Sequence, residues 1–212
     1  MSLDWTESDF LRELLRRRLI FSGLPKTSSF EQLWRTICVS LIDGEESAGY
    51  LIDRSMMRPR FLLNLISHCR GYAVNLGHET VEADDIRKGL SAFSTDLIFD
   101  IDLEIRDVLP FAEDVLYTFF AQNSVVDVSD VTALLENRFG QEDAAKVVHQ
   151  LLWYGVLGVI RDDGEAAFIY SVNYDMRRLV ALLNSIAPDR RKFFISPAFW
   201  PGLEIKNEPR LL

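Results

Sequence analysis

Apolar residues recur at helical intervals through the first half of the chain, and the pattern changes after Pro110. Up to about residue 109 they return every three or four positions, which is typical of helices that bury one face. Beyond Pro110, the runs "GVIRD" and "AFIYSV" flank "DGEA", which predicts a β-hairpin. The sequence therefore predicts a mainly α protein, with a helical domain over residues 1–109 and a second domain over residues 110–212.

Local start and stop signals bound several helices of the first domain. Ser29 precedes Gln32 with the spacing of a capping box. Pro59 suits the first position of a helix that ends at Gly77, because proline lacks an amide that would have no partner there. The next helix is predicted to begin at "EADD" and to end near Phe93, and a last helix is predicted from about Thr95 to Leu109.

The second domain has the element order of a winged helix-turn-helix. Three helices are predicted, over "FAEDVLYTFFAQN", "DVSDVTALLENRFG" and "QEDAAKVVHQLLWYGVL", and the hairpin follows them. A closing helix, "DMRRLVALLNSIA", precedes an aromatic tail. We expect the tail to pack back onto the winged helix, with a partner interface as the alternative. Its aromatic residues are Phe193, Phe194, Phe199 and Trp200.

Charge argues against nucleic acid as a general partner. The net charge is −9, and residues 111–172 carry three Lys or Arg against ten Asp or Glu. Phosphate binding depends on an excess of Lys and Arg. The third helix of the winged helix begins with Gln141, Glu142 and Asp143, where a recognition helix presents cations or amides to DNA. The sequence therefore disfavours DNA and predicts that the winged helix contacts a protein or another subunit.

No enzymatic constellation is present in the sequence. His68, His78 and His149 lie far apart and form no metal-ligand spacing with Cys38 or Cys69. The phosphate-loop pattern of nucleotide hydrolases is also absent. We therefore expect no catalytic residue and no metal in this chain. Two cysteines within helical patterns suit buried thiols in a reducing compartment, and no apolar run reaches the roughly 20 residues of a membrane span. These features predict a cytoplasmic protein without membrane contact.

Arg58 and Arg60 flank Pro59 at the start of a long predicted helix, where the helix dipole disfavours positive charge. They could be surface cations that pair with Asp53 or Asp4, a contribution of about 0–1 kcal/mol if exposed. Alternatively, the helix start is an anion site at which a guanidinium and backbone amides converge on one phosphate. Local chemistry leaves both alternatives open.

The segment from "RPR" to "TVEADDIRKGL" resembles the α-helical lid of AAA+ and related STAND-type P-loop ATPases. The resemblance covers about residues 45–110, and Glu82 stands where that pattern has Thr or Ser. Together with the winged helix, it is most similar to bacterial P-loop ATPases, including some linked to phage defence. The resemblance implies that Arg60, with Arg58 as the alternate, senses ATP bound on a separate domain that would precede Met1.

The resemblance therefore implies a C-terminal nucleotide-sensing lid and an interaction module that are not catalytic by themselves, whereas the parent protein is an ATPase. A winged-helix DNA-binding regulator gated by nucleotide state is the first alternative. A structural adaptor without an ATPase is the second, and it leaves "RPR" unexplained.

Overall fold

A computed structural model describes residues 7–206. Helices predominate among the described residues, and two small antiparallel sheets accompany them, which confirms the predicted mainly α class. The chain forms two compact units, one up to Phe93 and the other from Ser94 onward. This division precedes the expected one near Pro110. Within residues 7–206, no helix has the length and apolarity needed to cross a membrane.

The first unit is built from helices around a short hairpin. The predicted capping box is present, because the Gln32 amide donates to Ser29 Oγ at 3.3 Å and the Ser29 amide donates to Gln32 Oε1 at 2.9 Å. The elements of the first unit are α1 (Ser8–Phe21), α2 (Phe30–Trp34), β1 (Leu41–Ile42), β2 (Glu45–Glu46), α3 (Ser47–Asp53), α4 (Pro59–Leu76) and the first part of α5 (Ala83–Val108).

Both predicted ends of α4 are confirmed. Pro59 occupies the first helical turn, and Gly77 ends the helix in the left-handed conformation at φ 76°. Glycine adopts that conformation without the steric cost of a β-carbon. The buried side of α4 contains Phe61, Leu62, Leu65, Cys69 and Ala73.

Helix α5 is continuous where the sequence predicted two helices. The expected break between Phe93 and Thr95 does not occur, because neither Gly nor Pro interrupts the chain there and the apolar spacing continues in register. Ser94 is fully buried in the second unit, where its hydroxyl accepts a 3.0 Å hydrogen bond from the Gly202 amide. The buried apolar residues along α5 are Ile86, Leu90, Phe93, Leu97, Ile98, Ile101 and Ile105.

The second unit combines the rest of α5 and several further helices with a four-stranded antiparallel sheet of order β3-β6-β4-β5. The hairpin that the sequence predicted is confirmed as β4 and β5. The predicted closing helix is confirmed as α8. The elements that follow α5 are β3 (Val125–Asp127), α6 (Val128–Phe139), α7 (Gln141–Trp153), β4 (Leu157–Ile160), β5 (Ala166–Ala167), α8 (Met176–Ser185), β6 (Lys192–Ile195) and α9 (Trp200–Leu203).

Two predictions for this unit were wrong. The helix expected over residues 111–123 is a short 3-10 helix, Val115–Phe119, and the residues Asp114 and Ala121 beside it have positive φ. A left-handed residue cannot continue an α-helix, so the helix cannot extend past either position. The second strand of the hairpin is only two residues long, because the chain turns into a 3-10 helix at Ile169–Val172.

The aromatic tail supplies β6, a central strand of the sheet. Phe193 pairs with Val126 on β3 and with Val159 on β4. Phe193 and Phe199 are fully buried, and the Trp200 indole donates to the Ile195 carbonyl at 2.8 Å. The prediction that the tail packs back onto the second domain is confirmed, and it does so by completing the sheet.

Candidate functional site

The start of α4 is preceded by a strained turn. Met56 and Met57 have φ values of 54° and 55°, a region that residues with a β-carbon rarely adopt. The turn closes with a 3.1 Å hydrogen bond from the Arg58 amide to the Ser55 carbonyl. Met56 is fully buried. This turn sets the direction in which α4 begins, and it costs about 1–3 kcal/mol for each strained residue.

Arg58 and Arg60 both lie against one aromatic ring. The guanidinium carbon of Arg58 is 5.1 Å from the centre of the Phe61 ring, and that of Arg60 is 5.6 Å from the same centre. Phe61 is buried, Arg58 is half-buried and Arg60 is exposed. A cation over an aromatic face gains about 0.5–1 kcal/mol at exposed sites. The structure therefore places Arg58 and Arg60 over the same buried ring, that of Phe61.

This helix start concentrates positive charge. The first turn of α4 contains no acidic residue. The N-terminus is also the positive end of the helix dipole, so the dipole adds to the charge of the two arginines. Pro59 removes one of the amides that an anion would otherwise use, so the guanidiniums must supply most of the donors. Guanidiniums and free amides at a helix start are groups that can bind an anion. The alternative ion pairs with Asp53 and Asp4 stay predictions, and Asp4 lies outside the described residues.

A polar face continues along α4 from this start, and sequence reasoning missed it. It lines a shallow groove of about 370 Å³. The signal was present in the sequence, since polar or small residues recur at helical spacing opposite the buried side. His68 contacts the edge of the Phe93 ring, with ring centres 6.5 Å apart. The residues that line the groove are Asn64, Ser67, His68, Gly71, Tyr72 and Asn75.

The start of α5 is capped by Asp85. Its Oδ2 accepts a 2.9 Å hydrogen bond from the Glu82 amide and lies 2.8 Å from His78 Nδ1. Asp85 is fully buried, and its other oxygen has no hydrogen-bond partner within the described part of the chain. The hydrogen bond with Asp85 raises the pKa of His78. Asp85 thus makes one half of a capping box, in which the third residue of the helix accepts from the amide of the N-cap residue.

Neither cysteine has the surroundings of a reactive thiol. Cys38 and Cys69 are buried and not disulfide-bonded. Burial raises the pKa of Cys38 to about 11 and that of Cys69 to about 12. Only the thiolate is nucleophilic, so both are expected to be inert at neutral pH. Among residues 7–206, no three His, Cys, Asp or Glu side chains lie together in a way that could hold a metal ion.

On the second unit, cations near the predicted recognition helix and hairpin are paired with carboxylates. Lys146 Nζ lies 2.8 Å from an Asp143 oxygen and 3.4 Å from a Glu142 oxygen. Arg161 lies 3.2 Å from Asp163 at the hairpin tip. These carboxylates compete with phosphate for the same cations. The positive charge of these two side chains is therefore partly neutralised by their neighbours.

Comparison with known protein families matches part of the chain. Residues 9–102 match the model of a family described as the FunZ-associated C-terminal helical domain. Over these residues, which run from α1 into α5, the chain is similar to a C-terminal helical domain of a larger protein. That description agrees with the predicted helical domain and names neither an ATPase nor a winged helix. No curated protein and no solved structure matches the chain.

Proposed function

We propose that this chain is the C-terminal part of a cytoplasmic P-loop ATPase, in which residues 1–109 form a nucleotide-sensing lid. The observation that carries the proposal is the placement of Arg58 and Arg60 over Phe61 at the first turn of α4. The match of residues 9–102 to a C-terminal helical domain supports the lid's position in a larger protein. ATP binds on a separate nucleotide-binding domain of that protein.

Within the lid, each residue has a distinct task. Arg60, which is exposed, contacts the terminal phosphate, and its forked guanidinium matches two phosphate oxygens. Arg58 is half-buried and holds positive charge beside it. Phe61 limits the motion of both side chains. ATP supplies the phosphoryl group, and the lid adds charge stabilisation without a general base of its own.

The second unit would then act as a winged-helix interaction module. The order of α6, α7, β4 and β5 supports this assignment. The paired charges near α7 and the hairpin favour a protein partner or a second subunit over DNA. The nucleotide that α4 senses would thereby alter how the module binds its partner protein.

The test uses the full-length protein and compares two arginine variants. Arg60→Ala should lower ATP turnover at least about tenfold, which corresponds to about 1.4 kcal/mol of barrier. Its melting temperature should change little, because an exposed arginine contributes little to folding. Arg58→Ala serves as the comparison and should lower turnover less. Equal turnover for wild type and Arg60→Ala would refute nucleotide sensing, and a large loss of stability would assign Arg60 to a structural ion pair.

A second experiment tests the claim that the chain is not catalytic by itself. Residues 1–212 alone should neither hydrolyse ATP nor bind it tightly, because two arginines and a helix end cannot replace a phosphate loop and its lysine. Isothermal titration calorimetry of the chain with ATP measures this. Stoichiometric binding at micromolar affinity would contradict the proposal.

The alternative function is a DNA-binding regulator gated by nucleotide state, which the helix-helix-hairpin order favours. The proposed module should bind duplex DNA only weakly and without sequence preference. Fluorescence anisotropy with a labelled duplex at physiological salt distinguishes the two functions. Sub-micromolar affinity under these conditions would favour the regulator.

A further inference from the structure

Phe21, the last residue of α1, projects into solvent. It is 92% exposed, whereas Leu11 and Leu15 of the same helix are buried. The helix end that presents Phe21 is closed by a 3.0 Å hydrogen bond from the Gly23 amide to the Ile20 carbonyl. An aromatic ring in this position gains free energy from any contact that removes it from water.

Cations surround this ring. Residues 13–30 carry four Lys or Arg against one Glu, a net charge of +3. Glu13, the one acid in that range, is ion-paired with the two arginines that precede Arg18. Arg18 and Lys26 are exposed, and neither forms an ion pair within the part of the chain that the structure describes. We call Phe21, Arg18 and Lys26 together the cationic tip.

The second unit contains a shallow pocket of about 480 Å³ with aromatic walls. The rings of Phe111 and Phe139 meet edge to face in it, with their centres 5.9 Å apart, and Phe111 is 42% exposed. Apolar and aromatic surface with a few polar groups around it is typical of binding sites. We call this cavity the aromatic pocket. The carboxylates that line it are those of Glu113, Asp114 and Asp143.

The charge around the aromatic pocket is negative. Glu113 and Asp143 are ion-paired with neighbouring cations at 3.0 and 2.8 Å, whereas Asp114 forms no ion pair with any described residue. Arg138 also lines the pocket, and its guanidinium donates to the backbone carbonyls of Glu113 and Asp114. The wider surroundings decide the sign, since residues 111–172 carry three Lys or Arg against ten Asp or Glu.

We propose that the cationic tip of one copy of the chain enters the aromatic pocket of a second copy. Phe21 packs against the rings of Phe111 and Phe139, and Arg18 and Lys26 lie toward the acidic surroundings of the pocket. The two surfaces complement each other in polarity and in charge, and both belong to the same sequence. A second copy is therefore the partner that these surfaces fit.

The contact joins two different surfaces, so it is heterologous. A copy that is bound through its tip still offers its pocket to a further copy, and assembly continues past the dimer. One aromatic anchor buries less than the roughly 1,000 Å² of a stable interface, so the association is weak and depends on concentration. The inference rests on the proposal that the second unit is an interaction module, and it names the partner of that module.

The test is sedimentation velocity of residues 1–212 at chain concentrations of about 10–500 μM. The average mass should rise with concentration, and added salt should reduce it because salt screens the charges of tip and pocket. Phe21→Ala should weaken association at least about tenfold, as expected for an aromatic anchor. Phe99→Ala is the control, since Phe99 is 65% exposed but has Asp96 and Asp100 as its charged neighbours on α5.

Charge variants test the electrostatic part of the contact. Arg18→Glu should weaken association about tenfold, whereas Arg70→Glu, at an exposed arginine of α4, should have little effect. Asp114→Asn should also weaken it, and asparagine tolerates the left-handed conformation that Asp114 adopts at φ 56°. Melting temperatures should stay within a few degrees of wild type, because these three side chains are exposed.

A mixture of two variants identifies the two surfaces as partners. Phe21→Ala lacks the tip and keeps the pocket, whereas Phe111→Ala keeps the tip and lacks the pocket. Each variant alone should remain monomeric, and their mixture should form a dimer of one copy of each and no larger species. If Phe111→Ala melts well below wild type, Asp114→Asn takes its place in the mixture.

Three results would overturn the proposal. These are a wild-type chain that stays monomeric at every concentration, equal losses with Phe21→Ala and Phe99→Ala, and a mixture that associates no better than either variant alone. The outcome is separable from the test of nucleotide sensing, because sedimentation is measured without nucleotide and ATP turnover of the Arg60 variants does not depend on Phe21. Failure of one experiment leaves the other measurement unaffected.

Discussion

Gly89 on α5 lies directly against the backbone of Cys69 on α4. A β-carbon placed at position 89 would come within 2.6 Å of the Cys69 amide nitrogen and 2.7 Å of its Cα. Such separations are far shorter than ordinary van der Waals contacts. The two helices of the first unit therefore approach as closely as they do because residue 89 has no side chain.

Gly89→Ala should lower the free energy of unfolding by about 1–3 kcal/mol, because the added methyl group must displace the α4 backbone. Gly71→Ala is the matched control, since Gly71 lies on the exposed face of α4 with nothing within 4 Å of an added β-carbon. That change should stabilise the protein by about 0.5–1 kcal/mol through helix propensity. Urea denaturation followed by circular dichroism measures both. Equal effects of the two substitutions would show that α4 and α5 can separate at low cost.

The pair His78 and Asp85 should make stability depend on pH. The hydrogen bond with Asp85 raises the pKa of His78 in the folded chain, Glu82 adds to the effect and Lys88 opposes it. A histidine whose pKa is higher in the folded than in the unfolded chain stabilises the fold when it is protonated. This contribution is complete at pH values below the unfolded pKa of about 6.5, and it is lost as the pH rises through the pKa of the folded chain. Stability should therefore fall as the pH rises from about 6 to 8.

His78→Gln should remove that dependence, because glutamine can donate to Asp85 but does not titrate. Chemical denaturation at a series of pH values measures the slope for both proteins. A wild-type slope equal to that of His78→Gln would show that the imidazole gains nothing from Asp85.

Replacement of Ala121 by glycine should stabilise the protein. It has a φ of 57°, and its amide donates to the Leu203 carbonyl at 2.8 Å. A β-carbon in the left-handed region costs about 1–2 kcal/mol, so Ala121→Gly should stabilise the protein by up to about 1 kcal/mol after the loss of chain entropy. Ala145→Gly, in the exposed interior of α7, should destabilise it by about 1 kcal/mol. Thermal denaturation distinguishes the two, and a loss of stability in both would refute the strain at position 121.

The two thiols should resist modification in the native protein. Burial raises the pKa of Cys38 to about 11 and that of Cys69 to about 12, so almost no thiolate is present at neutral pH. A chromogenic disulfide reagent should label neither cysteine on the timescale of minutes, whereas it should label both in concentrated urea. Rapid labelling of one thiol in the native chain would show that its helix opens locally.

Local signals in the sequence were sufficient for several elements. Pro59 and Gly77 bounded α4 correctly, and Ser29 with Gln32 predicted the start of α2. The hairpin of β4 and β5 followed from turn residues between two β-rich runs. Each of these features depends on the backbone preferences of a few neighbouring residues, so no distant contact was needed to predict it.

Other elements depended on contacts that no local pattern reveals. The 3-10 helix at Val115–Phe119 replaced a predicted α-helix because Asp114 and Ala121 adopt positive φ, a conformation that is unusual for alanine. The break predicted before Thr95 is absent because apolar packing continues along α5. At Val115–Phe119, tertiary interactions outweighed the preferences of the segment, whereas the continuous apolar spacing of α5 was already present in the sequence.

For the candidate site, the sequence by itself determined that Arg58 and Arg60 flank the first residue of a helix, since the proline fixes that start. Only the tertiary structure decided that both guanidiniums lie over the ring of Phe61 and that a polar groove extends along the same helix. Likewise, aromatic residues in the tail predicted burial, but the place of β6 between β3 and β4 did not follow from them. Helix starts and turns are fixed by neighbouring residues, whereas the pairing of Phe193 with Val126 and Val159 joins positions far apart in the chain, whose partners are chosen by the packing of the whole unit.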